Sequence, residues 1–189
     1  MANHVSALAF CGLLAALPLT SGAAPIPSQS QIDTLVGETL GPSVNAVADG
    51  GPGLPRYLRA SMNRRTAPVV LVPITADQAK GTLNARGIKA IHAPGQSGDA
   101  DEIIGANCLG LAFFHGLPAV SVAGKPSSVY LIYECFSGYT RVAKKATLLK
   151  YLKPHSDGDA ILLDLESGGQ LLIYWSGTGY STKFVRKGG

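Results

Sequence analysis

Two side chains in this sequence have the chemistry of a nucleophile and a general base, Cys108 and His155. A cysteine hydrolase needs a thiolate and a histidine that accepts its proton, and a third group orients that histidine. Asp157, Asp159 and Asp164 follow His155 and are candidates for the orienting carboxylate. This combination makes Cys108 and His155 a candidate catalytic pair.

The residues around Cys108 carry a resemblance. The run Asn107-Cys108-Leu109 is similar to the start of the catalytic helix in papain-fold toxins, which implies a papain-like cysteine hydrolase. A helix that begins near Asp101, however, places Cys108 two turns from the helix start, beyond the reach of the dipole. Cys135 is also available to oxidise it, and disulfides persist in exported proteins. We therefore expect a structural disulfide between Cys108 and Cys135, which stabilises by about 3 kcal/mol.

A second candidate catalytic set consists of Glu134, Arg141 and His155. Small secreted ribonucleases combine a Glu base, a His acid and an Arg that stabilises charge on the phosphate. The three residues occur in a suitable order, but the spacing from Glu134 to Arg141 is shorter than in the fungal guanyl-specific ribonucleases. Taken singly, His92, His115 and His155 are each interpreted as ordinary surface or loop histidines.

Aromatic residues form the third group of candidates. Core packing and cross-strand pairs account for most of them. Tyr and Trp also dominate binding hot spots, so we predict that those exposed on a sheet face near Trp175 contact a partner. The candidate binding residues are Tyr133, Tyr174, Trp175 and Tyr180.

The sequence contains no pattern typical of a metal or cofactor site. There is no His-x-x-x-His, no Cys-x-x-Cys, no acidic calcium loop and no glycine-rich phosphate loop. We therefore expect no metal and no cofactor.

Residues 1–23 have the three parts of a secretory signal peptide. A short head (1–4) precedes an apolar run (5–19), and Ser21 and Ala23 occupy the two small-residue positions before a cleavage site. The run is shorter than the roughly 20 apolar residues that cross a bilayer, and Pro18 interrupts it. We predict secretion, cleavage after Ala23 and no membrane span in the mature protein.

Residues 24–65 are predicted to be a flexible, pro-like segment. Residues 41–55 are rich in Gly and Pro, as linkers are. The segment ends in Arg64-Arg65, which resembles the kexin-type processing sites of secreted fungal precursors. We predict that processing here leaves a compact domain at 66–189.

The domain at 66–189 shows signals for helices first and strands later. A strand at 69–72 precedes a capping box at Thr75 and Gln78, which predicts a helix ending at Gly87. A second helix is predicted from 101 to 115, because apolar residues there share one helix face. A short helix at 145–152 is also expected. The predicted strands are 129–134, 139–142, 160–165, 170–175 and 181–186.

Two strand segments have similar sequences, at 131–140 and at 172–181. Each contains Leu-Ile-Tyr and, five residues after its Tyr, Gly-Tyr followed by a hydroxyl residue. We interpret them as two similar hairpins in one sheet. The predicted fold class is α+β, with two N-terminal helices packed on a mostly antiparallel β-sheet in a single domain.

The order of elements at 69–134 resembles the opening of ADP-ribosyltransferase-like folds. Strand, helix and Gly-Ile at 69–88 carry the resemblance, with the predicted helix at 106–114 and the strand at 129–133. It implies an NAD site at the end of the first strand and a catalytic Glu, either Glu134 or Glu166. Pro73 and Ile74 stand where that family has an Arg or His, so we expect that NAD chemistry is lost.

Composition fits a folded domain, with 46% apolar and 15% charged residues and a net charge of +4. Basic residues are spread along the chain, so nucleic-acid binding has weak support. The overall organisation resembles small secreted fungal effectors of the smut type. We expect an extracellular interaction protein that binds a host protein, with delivery into the host as an option. The alternative is a small secreted enzyme of the ribonuclease, ADP-ribosyltransferase or papain type.

Overall fold

The computed structural model describes residues 26–48, 53–63, 65–76, 82–101, 108–143 and 158–185. These residues contain one α-helix, one 3₁₀ turn at Asn84–Arg86 and ten strands. The helix is α1 (Gln29–Leu40). The strands are β1 (Val44–Ala46), β2 (Leu58–Ala60), β3 (Val69–Ala76), β4 (Lys89–Ala90), β5 (Leu109–His115), β6 (Ser128–Glu134), β7 (Phe136–Val142), β8 (Ala160–Leu165), β9 (Gln170–Trp175) and β10 (Tyr180–Val185).

The predicted α+β class with two N-terminal helices is wrong, because the described chain is mostly β-structure in two sheets. The described part of the second predicted helix is strand β5, and its residues 102–107 lie outside the described residues. Strand β5 is buried on both sides, so its sequence is continuously apolar and shows no alternation. Such a run cannot be told from a buried helix by periodicity. The first predicted helix is wrong where the structure describes it, because Thr75 and Ala76 end β3 and Asn84–Arg86 is only a 3₁₀ turn. Residues 77–81 of that helix and all of the predicted helix at 145–152 lie outside the described residues.

The first sheet has six strands, in the order β1-β3-β5-β6-β4, and β2 also pairs with β3. Its pairs are antiparallel except β4 with β6, which is parallel. The second sheet is an antiparallel meander in the order β10-β9-β8-β7. Every neighbour in the second sheet is therefore also a neighbour in sequence.

The first sheet is the middle layer of three. Helix α1 covers one of its faces, where Val70, Phe114 and Tyr133 are buried. The second sheet covers the other face, where Leu71, Phe113 and further buried residues of both sheets pack together. Alternation along β6 produces this division, since Tyr130 and Ile132 face the second sheet while Leu131 and Tyr133 face α1.

The segment predicted to be flexible is part of this fold wherever the structure describes it. The Ser28 hydroxyl accepts a hydrogen bond from the Gln31 amide, and the Gln31 side chain accepts one from the Ser28 amide, which caps α1. The apolar face of α1 is buried in the core. Strands β1 and β2 pair with β3. The described residues of this segment therefore belong to the folded unit.

The interpretation of two similar hairpins is also wrong. Strands β9 and β10 form a hairpin, with Trp175 opposite Tyr180. Strands β6 and β7 do not pair, because β6 lies in the first sheet and β7 in the second. The chain crosses between the two sheets at Cys135, the one residue between the two strands.

Candidate functional site

Four ring side chains from the two sheets meet at one place, and we call this group the aromatic cluster. His115 ends β5 and Tyr130 lies in β6, whereas Trp175 ends β9 and Tyr180 begins β10. The ring centroids of Trp175 and Tyr180 are 5.2 Å apart, and those of Tyr130 and Tyr180 are 5.0 Å apart. The β9–β10 turn makes Trp175 and Tyr180 direct neighbours, and inter-sheet packing adds the other two rings.

His115 is the most buried polar member of the cluster, with 9% of its surface exposed. Its Nε2 atom lies 2.9 Å from the Tyr180 hydroxyl and is hydrogen bonded to it. Burial, together with the nearby charge of Lys89, lowers the pKa of His115 to about 4. Burial raises the pKa of Tyr180. Both groups are therefore neutral at neutral pH, and the His115–Tyr180 contact is a hydrogen bond between uncharged groups.

A positive charge borders the cluster on the side of the first sheet. The ammonium group of Lys89, an exposed residue of β4, lies 5.3 Å from the centroid of the Tyr130 ring. Cation–π contacts at exposed sites are worth about 0.5–1 kcal/mol. The contact orients Tyr130 and places a cation beside an aromatic surface.

Two ring nitrogens have no hydrogen-bond partner among the residues that the structure describes. They are Trp175 Nε1 and His92 Nδ1, both of which are buried. The backbone of His92 is held against β10, since the Thr182 hydroxyl donates to the His92 carbonyl oxygen over 2.6 Å. Unpaired buried polar groups destabilise a fold and are few in native proteins.

The four predicted binding residues lie on three different surfaces. Trp175 and Tyr180 are partly exposed members of the aromatic cluster. Tyr133 is only 4% exposed and packs in the core beneath α1. Tyr174 is half-buried on the outer face of the second sheet. Alternation along β9 separates Tyr174 from Trp175, so the two neighbours cannot contact one partner surface together.

The predicted ribonuclease residues are not gathered in one place by the described structure. Glu134 ends β6 in the first sheet and accepts a hydrogen bond from the Gln96 amide over 2.9 Å. Partial burial raises the pKa of Glu134, and the Gln96 bond opposes that shift. Arg141 lies on β7 of the second sheet and donates to the Arg59 carbonyl oxygen over 3.4 Å. His155 lies outside the described residues.

Cys108 and Cys135 form a disulfide, as predicted. The bond joins the residue before β5 to the crossover between β6 and β7. A sulfur atom in a disulfide is not a thiolate, so Cys108 is not a nucleophile in this state. Its predicted position inside a helix is also wrong in the described part, because β5 begins at the next residue.

The remaining sequence predictions meet the structure only in part. Arg65 is exposed, whereas Arg64 and residues 1–25 lie outside the described residues. No group of three or more His, Cys, Asp or Glu side chains in the described ranges is placed to hold a metal ion. No helix within those ranges is long and apolar enough to cross a lipid bilayer.

A cavity of about 610 Å³ lies beside the end of α1. Charges of both signs line it, from Arg86, Lys125 and Glu38. The Arg86 guanidinium donates to the Glu38 carbonyl oxygen over 3.2 Å, so it satisfies an end group of α1. This mixed lining selects no class of ligand.

His115 and Tyr130 were not predicted as site residues. Tyr130 does alternate with Leu131, which signals that it faces away from the α1 side of the sheet. The meeting of His115 with Tyr180 depends on packing between sheets and spans 65 residues of sequence. No local pattern carries that information.

The chain matches no known protein-family model, no curated protein and no solved structure. For ADP-ribosyltransferase-like folds, the helix expected at 106–114 is a strand from residue 109 onward. The pattern of elements at 69–134 therefore no longer supports that resemblance.

Proposed function

We propose that this is a secreted, effector-like interaction protein that binds a host protein through the aromatic cluster, without catalysis. The observation that carries the proposal is the convergence of His115, Tyr130, Trp175 and Tyr180 from both sheets. Rigid Trp and Tyr side chains bury a large area at low entropic cost, which is why they anchor protein interfaces.

The placement of the candidate catalytic groups favours binding over turnover. Glu134 and Arg141 lie on different sheets, and each has a local hydrogen-bond partner. Cys108 is bonded to Cys135. An enzyme needs its acid, base and charge-stabilising groups to converge on one reacting atom. The cluster instead offers a neutral imidazole, two phenols and an indole, which suit recognition.

The charge next to the cluster suggests the chemistry of the partner. Lys89 is exposed beside Tyr130, and the whole chain carries a net charge of +4. A partner segment with an apolar side chain against Trp175 and a carboxylate near Lys89 would satisfy both features. We therefore propose an acidic, partly apolar protein surface as the target.

The proposal is tested by chemical cross-linking of the secreted protein to host extracts, with Trp175→Ala as the variant. Phe184→Ala is the matched control, since Phe184 is 53% exposed on β10 and is not a member of the cluster. We expect Trp175→Ala to weaken a defined host contact at least thirtyfold, the scale of a hot-spot residue. We expect Phe184→Ala to leave it unchanged.

Two results would overturn the proposal. The first is equal capture of the same host protein by wild type and by Trp175→Ala, provided that both proteins are folded and unfold cooperatively on heating. The second is turnover of RNA, NAD or a peptide by the wild-type chain. A Lys89→Glu variant adds a check on partner charge, because it should weaken binding more at low salt than at high salt.

A further inference from the structure

The segment before the dibasic pair is built into the core of the protein. Helix α1 buries Ile32, Leu35, Val36 and Leu40 against the first sheet. Leu54, Ala60 and Met62 are buried on the opposite face of that sheet, facing the second sheet. The segment thus contributes to both hydrophobic cores rather than lying on the surface.

The same segment covers one edge of β3. Strand β2 pairs with Val69–Leu71, and β1 pairs with residues 74–76 of the same strand. The other edge of β3 is occupied by β5. Without β1 and β2, an almost wholly buried strand would present a free row of backbone donors and acceptors, which invites aggregation.

Hydrogen bonds also tie this segment to the second sheet. The Tyr139 hydroxyl donates to the Pro55 carbonyl oxygen over 2.7 Å, and the Tyr139 amide donates to the Gly53 carbonyl oxygen over 2.8 Å. The Ser61 amide donates to the Asp159 carboxylate over 2.7 Å, and the Asp159 amide donates back to the Ser61 carbonyl oxygen. These bonds join residues on opposite sides of Arg65.

The peptide bond between Arg65 and Thr66 lies in an exposed turn. Both residues are exposed, and the Thr66 amide donates to the Asn63 carbonyl oxygen over 3.2 Å. The Asn63 side chain accepts from the Arg65 amide over 3.0 Å. Exposed loop tips of this kind are preferred sites of proteolytic nicking.

We propose that cleavage after Arg65 converts the chain into a two-chain protein that keeps its N-terminal segment. Water adds across the Arg65–Thr66 bond, which leaves a carboxylate on Arg65 and an amine on Thr66. Cys108 and Cys135 both lie after the cut, so their disulfide does not link the two pieces. The buried apolar face of α1 and the pairing of β1 and β2 with β3 hold the two pieces together. The segment is then a subunit and not a discarded pro-peptide.

The cut would not alter the aromatic cluster directly. His115, Tyr130, Trp175 and Tyr180 all lie after Arg65, and the cluster is built from β5, β6, β9 and β10. This inference does not depend on the proposed binding function, since it concerns the assembly state alone.

The experiment uses the protein secreted from a yeast that lacks its kexin-type protease. The purified chain is treated with that protease, passed over a sizing column and measured by native and by denaturing mass spectrometry. Arg64→Ala/Arg65→Ala is the uncut control. We expect one native species whose mass is that of the whole chain plus one water, and two fragments after denaturation.

Three results would overturn the proposal. One is elution of a folded 66–189 fragment free of the N-terminal segment. Another is loss of the segment with aggregation of the remainder. The third is no cleavage after Arg65 under conditions in which the protease cuts a dibasic peptide.

A second pair of variants distinguishes core packing from chance co-elution. Leu35 is 4% exposed in the core, whereas Thr34 is exposed on the same helix. In the cut protein, Leu35→Ala should raise the dissociation constant of the segment at least about thirtyfold, and Thr34→Ala should leave it nearly unchanged. Equal dissociation of both variants would show that the α1 core does not hold the segment.

Discussion

Residues 131–140 and 172–181 have similar sequences but opposite roles in the fold. The second segment folds back on itself as the β9–β10 hairpin, whose turn is closed by a hydrogen bond from the Ser176 amide to the Gly179 carbonyl oxygen. The first segment never turns back, and carries the chain from one sheet to the other. The strands are alike, so the residues between them decide the outcome.

The connecting residues differ in polarity and in tethering. The hairpin connection is Ser176-Gly177-Thr178-Gly179, in which Gly177 adopts a φ of +108°. The crossover contains Cys135, which is bonded to Cys108, followed by Phe136, which is 1% exposed. A buried Phe cannot occupy a solvent-exposed turn, so the chain continues into the second sheet. Strand similarity alone therefore does not predict strand pairing.

The matched tyrosines give the largest expected contrast between the two segments. Tyr133 is almost fully buried beneath α1, whereas Tyr174 is half-buried on the outer face of the second sheet. Tyr133→Ala should lower the free energy of unfolding by about 4 kcal/mol, because it leaves a large core cavity. Tyr174→Ala should lower it by about 1 kcal/mol. Urea denaturation measures both, and equal losses would remove the distinction between core and outer surface.

Removal of the disulfide tests the tether at the crossover. Cys108 and Cys135 are 27 residues apart, so Cys108→Ala/Cys135→Ala should lower the free energy of unfolding by about 3 kcal/mol through loop entropy. The β9–β10 hairpin has no such tether, and its amide exchange should change least. Calorimetry and hydrogen exchange measure the two effects. A melting temperature equal to that of wild type would show that the crossover needs no tether.

The free energy of unfolding should depend on pH, because the buried His115 of the first sheet contacts Tyr180 of the β9–β10 hairpin. Burial first, and Lys89 second, lowers the pKa of His115 to about 4, whereas unfolded His titrates near 6.5. Between these values the unfolded state binds a proton that the folded state does not, so stability is lost as pH falls through this window. The expected loss between pH 7 and pH 4.5 is about 2 kcal/mol.

His115→Gln is the variant that isolates this effect. The raised pKa of Glu134 acts in the opposite direction, but it is common to both proteins and cancels in their difference. Urea denaturation at the two pH values should show a smaller loss for the variant. An identical loss in both proteins would assign the pH dependence to other groups.

The matched glycines give the smallest expected contrast. A Cβ at Gly138 would lie 2.7 Å from the Gly53 carbonyl oxygen, whereas nothing lies within 4 Å of one at Gly179. Gly138→Ala should lower the free energy of unfolding by about 1–2 kcal/mol, because the obstacle is backbone. Gly179→Ala should change it by less than about 0.5 kcal/mol. Thermal melts of both variants measure these losses. An unchanged melting temperature for Gly138→Ala would mean that the backbone at residue 53 shifts easily.

Local patterns predicted the later strands well. The strands at 160–165 and 170–175 were predicted with the bounds that the structure shows, because turn residues flank them. Helix α1 was missed although its signals were present. Ser28 and Gln31 form a capping box, and Ile32, Leu35, Val36 and Leu40 follow at helical spacing. Because residues 41–55 are rich in Gly and Pro, the whole segment at 24–65 was predicted to be flexible.

Two of the four residues of the aromatic cluster could be predicted from the sequence, and two could not. Trp175 and Tyr180 were predicted because aromatic type and strand position are local properties. Their partners His115 and Tyr130 come from the other sheet, and strand alternation does not specify how two sheets stack. Tyr133 and Tyr174 were included because residue type alone does not reveal which face is buried.

The strand order also has a consequence for the order of folding. Strands β8, β9 and β10 pair with their neighbours in sequence, so their contacts close short loops. Strand β4 pairs in parallel with β6 and bypasses β5. Local contacts form faster than non-local ones, so the meander should form early and the first sheet late. The aromatic cluster needs both sheets, so we expect it to assemble late in folding.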